Sequence, residues 1–461
     1  MNKQHFTKVI LIAAIFLLAG NISVGQNLPL LKISDDRRYI VTADGQPFFW
    51  LGDTGWELIH RLTKEEIDLY LEDRAKKGFT VIQTVILAEL DGLNTPNANG
   101  HRPLIGNDPA RINEKYFELV DYVIKKAGTL GIYVGLLPTW GDKFNLKWGK
   151  GPVIFTPENA EIYGGILAKR YVKANNIIWI LGGDRMPETE EQYAIIRAMA
   201  KGIKKLDTRH LVTYHPAGGK KATDAFNEDW LDFDMFQSGH NRTQKEYNFV
   251  LQSKKISPAR PVIEAEPRYE NSLDRFWEPG AQDWMDDSDV RVTAYWTMLA
   301  GAAGYTYGCH DIWQMYTIDR EPVSNARTDW KQALHLPGSQ QMLYLKKLLL
   351  AFPWQKLVYD PTLILNNNPQ DEQYIVSATG IERDFIIAYT PWGRPVQLKL
   401  PAMKSGQLEA FWYNPRSGKS VHIGDYNGND TPVFTPWAKG RGSDFVLIVK
   451  NKKANIRVPG L

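Results

Sequence analysis

Short apolar runs alternate with segments of helical spacing from residue 48 to residue 351, and this repeat constrains the fold more than any other feature. The runs are rich in branched and aromatic residues, as buried parallel strands are, and they cover residues 48–52, 80–87, 132–137, 177–181, 211–215, 233–237, 261–265 and 305–309. The helical segments cover residues 64–77, 114–130, 157–174, 190–206, 244–253, 290–300 and 340–351. In the fifth unit residues 224–230 are the only candidate for a helix. Eight such units predict an α/β fold, a (β/α)8 TIM barrel.

An open, doubly wound sheet is the structural alternative to this barrel. That fold would carry a glycine-rich phosphate-binding turn after its first strand. The residues after the first run, Asp53-Thr54-Gly55-Trp56, do not form such a turn. The closed barrel is therefore favoured.

The pattern changes after Phe352. From residue 356 the sequence consists of short alternating runs at 374–378, 384–389, 396–400, 407–413 and 444–449, with turn residues between them. This is typical of a compact all-β domain, and we expect a sandwich. We therefore predict a barrel with its N-terminal strands over residues 26–354 and a small C-terminal β-sandwich domain over 355–461. No low-complexity linker separates the two, so we expect them to pack together.

The first 25 residues have the layout of a cleavable signal peptide. Lys3 and Lys8 precede an apolar run at residues 9–19, and small residues follow up to Gly25. The run is short for a spanning helix, so a retained membrane anchor is the weaker alternative. We expect a periplasmic or secreted protein with no membrane contact after the signal is removed. Cys309 is the single cysteine of the sequence, which excludes an intrachain disulfide.

Two of the apolar runs end on carboxylates. Asp184 follows the fourth run through Gly182 and Gly183, and Glu266 follows the seventh. The C-terminal strand ends of a βα barrel form its active-site face, and two carboxylates at one cleft are the minimum for hydrolysis of a glycosidic bond. For Asp184 the alternative is a turn residue that caps the next helix. Residues 262, 264 and 266 share strand parity, so we expect Glu264 and Glu266 both to point inward, with Glu266 nearer the strand end and the better candidate.

Other strand ends carry the polar and aromatic side chains that a polyhydroxylated ligand requires. The predicted substrate-binding residues are Asp53, Trp56, Trp140, His215, His240, Tyr269, His310 and Trp313. Each alone is more often a loop or core residue, and their concentration at one face is the evidence. The expected partner is an oligosaccharide or polysaccharide, and a formal net charge of +3 gives little support to nucleic-acid binding.

Metal and cofactor chemistry have weak support in the sequence. No HExxH motif and no His-x-His motif occurs, so we expect no metal and no cofactor. A site built from His215, His240 and His310 is the open alternative. No Gly-x-Ser-x-Gly elbow is present either, which disfavours a serine nucleophile.

Four segments, in this order, resemble a known group: residues 49–56 (FWLGDTGW), 74–79 (RAKKGF), 182–184 (GGD) and 266–270 (EPRYE). They are similar to the DUF4038 barrel proteins, which include glycoside hydrolase family 140. Residues 411–416 (FWYNPR) and 434–436 (FTP) resemble the small β domain that accompanies those barrels and is labelled collagen-binding. The resemblance implies an apiosidase-like enzyme that acts on a complex pectin side chain. It also implies that Asp184 is the acid/base and Glu266 the nucleophile of a retaining mechanism.

Two other functions stay open at this point. One is a carbohydrate-binding protein without catalysis, which would hold a sugar without turnover. The other is a metal-dependent hydrolase on the same barrel, which would lose its activity to a chelator. A two-carboxylate glycosidase would turn its sugar over and would be insensitive to a chelator.

Overall fold

Eight parallel strands form a barrel in the computed structural model, which describes residues 28–404 and 406–461. The predicted signal segment, residues 1–25, lies outside the described residues. The strands are Trp50–Thr54, Val81–Leu87, Tyr133–Thr139, Ile177–Gly182, Val212–His215, Asp234–Gln237, Val262–Glu264 and Gly304–Tyr307. All neighbours in this order except the fifth and sixth strands pair in parallel, and the eighth strand pairs with the first. The fifth and sixth strands are not paired, but a hydrogen bond from the Asp232 N–H to the Val212 carbonyl (2.9 Å) joins the chain at this point. The barrel is therefore nearly closed, and the predicted fold is confirmed.

Helices follow seven of the eight strands and cover the outside of the barrel. They are Lys64–Lys76, Glu114–Thr129, Pro157–Tyr171, Glu190–Leu206, Glu246–Ser253, Asp287–Leu299 and Pro337–Leu350, with short helices at Leu58–Arg61, His310–Trp313 and Trp330–Ala333. Thr63 and Thr156 begin two of them with capping boxes. After the fifth strand a 3-10 turn spans Ala222–Asp224 and no helix follows, so the short helix considered at residues 224–230 is not formed. No helix in the described part of the chain is long and apolar enough to cross a membrane.

The barrel interior is apolar and is covered at its N-terminal end. Two antiparallel strands, Leu31–Ile33 and Ile40–Thr42, precede the barrel. Leu31 and Ile40 pack in one core with interior residues of the barrel such as Trp50. The N-terminal ends of the strands are therefore covered, and the C-terminal ends are the open face on which a ligand can bind.

A six-stranded antiparallel sheet follows the barrel. In spatial order its strands are Leu357–Tyr359, Val376–Gly380, Phe385–Thr390, Phe445–Asn451, Gln407–Asn414 and Lys419–Asn427. A two-stranded sheet, Val396–Gln397 with Val433–Phe434, packs on one face and completes a sandwich. The edge strand Lys419–Asn427 was not predicted, because most of its residues are at least partly exposed and it lacks an apolar alternation.

The other face of the six-stranded sheet packs on the barrel. Along Phe385–Thr390, Ile387 belongs to the same apolar core as the barrel helices, whereas Ile386 faces the two-stranded sheet. Arg291, on the helix Asp287–Leu299, donates to both carboxylate oxygens of Asp444 at 2.8 Å, and both side chains are buried. The two domains thus share an apolar core and a buried ion pair.

Candidate active site

A cleft of about 730 Å³ opens at the C-terminal ends of the barrel strands. Asp184 and Glu266 both line it. Five of the predicted substrate-binding residues line it too: Trp56, Trp140, His240, His310 and Trp313. Two others lie directly behind the lining, since His215 contacts Glu266 and the ring of Tyr269 is 4.3 Å from that of His240. The barrel therefore brings both predicted acids and most of the predicted binding residues together.

Two glycines carry the chain from the fourth strand to Asp184. Gly182 has a φ of +89° and Gly183 a φ of +105°. A Cβ atom on Gly183 would lie 2.9 Å from the ring of Trp140, so only glycine fits there. Asp184 also has a positive φ, +55°, and its N–H donates to Nδ1 of His215 at 3.4 Å. This left-handed stretch places the Asp184 carboxylate in the cleft.

Glu266 lies between two histidines. Nε2 of His215 is 3.2 Å from its Oε2, and Nε2 of His240 is 3.2 Å from its Oε1. The His215 contact is short but is not aligned as a full hydrogen bond. Nδ1 of His240 faces the Pro267 carbonyl at 3.0 Å. Both ring nitrogens of His240 thus face oxygen atoms.

The surroundings move the pKa values of the two acids in opposite directions. Burial first, and the charge of Glu266 second, raise the pKa of Asp184 to about 6. Burial also acts to raise the pKa of Glu266, but the contacts with His215 and His240 outweigh it and lower that pKa to about 2. A carboxyl group that is protonated in mildly acidic solution beside one that stays ionised is the combination that a general acid and a nucleophile need.

Glu264 does not reach the cleft, and the prediction that it points inward is wrong. Ile263 and Ala265 fill the barrel interior, so Glu264 points toward the outer helices. Its Oε1 accepts two backbone N–H groups, one of them that of Glu266 at 3.2 Å. Burial first, and the charge of Glu246 second, raise the pKa of Glu264 well above its usual value. Glu264 therefore supports the backbone of Glu266, which turns back into the cleft after the strand has ended.

Asp53 also lies outside the cleft, contrary to its prediction as a substrate-binding residue. It faces the helix layer, as Leu51 on the same strand does. There its carboxylate accepts hydrogen bonds from the guanidinium of Arg74 and from the Tyr70 hydroxyl (2.7 Å). Asp53 and Arg74 are both fully buried, so no sugar reaches them. The pair fastens the helix Lys64–Lys76 to the first strand.

The cleft also contains residues that the sequence did not single out. They include Glu89, Trp148, Gln237, Ser238, Gln244, Phe276 and Trp277. Glu89 follows the second strand at the same barrel face, and this position could have identified it as a candidate site residue. Trp148 and Trp277 come from long loops, whose course the sequence pattern does not predict.

The histidines of the metal alternative do not meet at one point. His215 and His240 both face Glu266. Nε2 of His310 instead hydrogen-bonds the carbonyls of Val323 (3.0 Å) and Ser324 (2.9 Å). Within residues 28–404 and 406–461, no group of three or more His, Cys, Asp or Glu side chains is arranged to hold a metal ion.

Comparison with known proteins supports the same chemistry. Residues 34–356 match the family described as "Apiosidase-like, catalytic domain", and residues 358–450 match the "Putative collagen-binding domain of a collagenase". Two solved structures, one titled "Glycoside hydrolase" and one a glycoside hydrolase family 5 from Bacteroides vulgatus ATCC 8482, are each 32% identical to this chain with a TM-score of 0.85. Each alignment covers 93% of this chain, and 98% and 95% of the two relatives. No curated protein matches significantly.

A more distant structure shares the fold alone. It is a family 39 glycoside hydrolase from Bacteroides cellulosilyticus WH2, with 14% identity and a TM-score of 0.53 over 91% of this chain and 82% of that one. The family match, by contrast, spans the whole barrel together with both acids of the cleft. The chain therefore belongs to the apiosidase-like family and is a glycoside hydrolase.

Proposed function

We propose that this glycoside hydrolase cleaves a glycosidic bond in a plant pectic side chain, with an apiosidase-like activity, in the periplasm or outside the cell. The observation that carries the proposal is the pair of carboxyl groups, Asp184 and Glu266, at one cleft with pKa values moved apart. The family match supports the class of sugar. The basic and apolar layout of residues 1–25 supports export.

In the proposed mechanism Asp184 is the general acid and Glu266 the nucleophile. A Glu266 carboxylate oxygen forms a bond to the anomeric carbon while the bond from that carbon to the leaving oxygen breaks, and Asp184 gives its proton to the leaving oxygen. Asp184 then takes a proton from water, which attacks the same carbon and releases Glu266. The contacts with His215 and His240 lower the pKa of Glu266, which supports an ionised nucleophile between turnovers.

Aromatic rings would hold the sugar over these acids. The rings of Trp56 and Trp140 lie 5.1 Å apart at one wall of the cleft, and Trp313 stands near His310 at another. Flat aromatic faces bind the apolar faces of sugar rings, and the polar groups between them accept and donate hydrogen bonds to hydroxyls. The cleft is thus suited to a small polyhydroxylated ring.

The first experiment is a screen of pectic oligosaccharides with analysis of the products. We expect Asp184→Asn and Glu266→Gln to lower kcat by about 10²- to 10⁴-fold, because each removes a group that acts on the reacting atoms. Glu264→Gln is the matched control, since the amide keeps the oxygen that accepts the Glu266 N–H, and it should stay within about tenfold of wild type. Loss in Glu264→Gln with activity kept in Glu266→Gln would reverse the assignment of the nucleophile.

The stereochemistry of the product tests the covalent step. A retaining enzyme needs its two carboxyl groups about 5–5.5 Å apart, whereas an inverting one needs about 6.5–9.5 Å to admit a water. We expect NMR of the first-formed product to show retention of the anomeric configuration. An inverted product would refute the covalent mechanism even if both acids proved essential. Full activity after dialysis against a chelator would exclude the metal-dependent alternative.

A further inference from the structure

The two acids of the cleft differ in the side chains that surround their carboxyl groups. Glu266 lies beside His215 and His240. Asp184 lies beside Arg185, which is also the nearest cation to Glu89. In the proposed mechanism the acid faces the leaving oxygen. Groups beside Asp184 are therefore placed to contact whatever leaves with that oxygen.

The position of Glu89 beside Arg185 is fixed through its chain neighbours. The Ala88 carbonyl accepts a hydrogen bond from the buried ammonium group of Lys143 at 2.6 Å. The Leu90 N–H donates to the buried carboxylate of Glu57 at 3.0 Å. Charged groups inside the protein thus fix the backbone on both sides of Glu89. A fixed backbone helps to hold a binding side chain in one orientation before the ligand arrives.

The carboxyl group of Glu89 itself has no hydrogen-bond partner among the described residues. Its nearest cation is Arg185, whose Nη2 is 4.0 Å from Oε1, beyond hydrogen-bond distance. Nη2 of Arg185 also makes no hydrogen bond among the described residues. A fixed, largely buried carboxyl group that lines a cleft and makes only a long ion pair, without a hydrogen bond, calls for a ligand.

Trp148 offers an aromatic ring next to Arg185. The guanidinium carbon of Arg185 lies 3.9 Å from the centre of that ring, and Nζ of Lys147 lies 5.8 Å from it. Trp148 is nevertheless 64% exposed and lines the cleft, so part of its ring is accessible to a ligand. Arg185 also donates to the carboxylate of Asp184 at 3.2 Å. Trp148 is therefore linked to the acid through one buried side chain.

We propose that Glu89 and Trp148 bind the sugar on the leaving-group side of the scissile bond. Glu89 hydrogen-bonds to the hydroxyl groups of that sugar, and the exposed part of the Trp148 ring stacks on it. This inference rests on the proposed function and adds to it the residues that bind the leaving sugar.

The protonation state of Glu89 fits this role. Burial first, and the charge of Asp184 second, raise the pKa of Glu89 to about 8. The protonated carboxyl group can donate one hydrogen bond and accept another, as adjacent sugar hydroxyls require. It also adds no second negative charge beside Asp184.

The test compares two substrates that share the released sugar. One is the pectic oligosaccharide cleaved in the screen, and the other is the 4-nitrophenyl glycoside of the sugar that it releases. Glu89→Ala and Trp148→Ala should each lower kcat/KM for the oligosaccharide by about 10- to 100-fold, since each removes one polar or stacking contact. For the aryl glycoside the loss should stay below about threefold. Glu188→Ala and Trp437→Ala are the matched controls, because both residues are exposed and neither lines the cleft.

A second measurement separates binding from folding. The oligosaccharide that remains after cleavage should inhibit hydrolysis of the aryl glycoside by the wild-type protein, and it should inhibit Glu89→Ala and Trp148→Ala at least about tenfold less strongly. Equal losses on the two substrates, or unchanged inhibition, would overturn the assignment of Glu89 and Trp148. A wild-type protein that hydrolyses neither substrate would overturn the proposed function and this inference together.

Discussion

The pH dependence of hydrolysis should be a bell with its maximum near pH 4. In the proposed mechanism Glu266 has to be ionised, so activity should be lost as the pH falls through its pKa of about 2. In the same mechanism Asp184 has to be protonated, so activity should be lost as the pH rises through its pKa of about 6. The optimum lies midway between these values. Above the upper pKa each pH unit lowers the protonated fraction tenfold, so kcat/KM at about pH 8 should be about one hundredth of its maximum.

Two variants connect this profile to the structure. His240 lowers the pKa values of both acids, so His240→Gln should move both limbs of the bell to higher pH. Asp184→Asn should have no basic limb on an activated aryl glycoside, because no group then has to stay protonated. The measurement is kcat/KM from about pH 3 to about pH 9, with circular dichroism at each pH to exclude unfolding.

A wild-type rate that stays constant between about pH 5 and about pH 8 would refute the assignment of Asp184 as the acid. Retention of the basic limb in Asp184→Asn would refute it independently, since another group would then carry the proton. Such a result would make Glu89 the first residue to test, because its carboxyl group lines the same cleft and its pKa is raised by the charge of Asp184.

Three further outcomes can be checked without a substrate or with a simple assay. Arg291→Leu should lower the free energy of unfolding by about 3–5 kcal/mol, because the buried Asp444 carboxylate loses two hydrogen bonds from a cation and keeps only the Tyr389 hydroxyl (2.9 Å) and a long ion pair with Arg416 (3.9 Å). Lys201→Leu, in an exposed pair with Glu161, should cost less than about 1 kcal/mol by the same denaturant titration. Gly183→Ala should abolish most activity in the oligosaccharide assay while the protein stays folded, because it forces a left-handed alanine against Trp140. Truncation after Lys356 should give an insoluble or much less stable barrel by thermal melting, because it uncovers the apolar helix face that now packs on the sheet, and a soluble, fully stable truncated barrel would contradict this.

The sequence was sufficient for the barrel because its strands are buried on both faces. Such strands read as continuous apolar runs, and helices that cover them repeat with a different period, so the two kinds of segment are distinguishable. The boundaries shifted by a few residues, and the first strand is Trp50–Thr54 instead of residues 48–52. The strand Lys419–Asn427 lies at an exposed edge, carries no such pattern, and could be found only in the structure.

The sequence also determined which residues end each strand, and that was enough to predict that Asp184 and Glu266 would lie at one face. It did not determine the face to which a side chain points. Successive side chains of a strand point to opposite faces, and the tertiary structure decides which set faces the barrel interior. Here Ile263 and Ala265 pack in the interior, so Glu264 points outward.

The charges around the acids of the cleft could be identified only from the tertiary structure. Asp53 forms a buried ion pair with Arg74, which lies 21 residues away in the chain. Glu266 contacts His215 at the end of the fifth strand and His240 after the sixth. Glu89, after the second strand, lies close enough to Asp184 for that charge to raise its pKa. These contacts join residues that are distant in sequence, so no local sequence pattern predicts them. The curvature of the sheet creates them, because it brings the ends of separate strands within a few ångströms of one another.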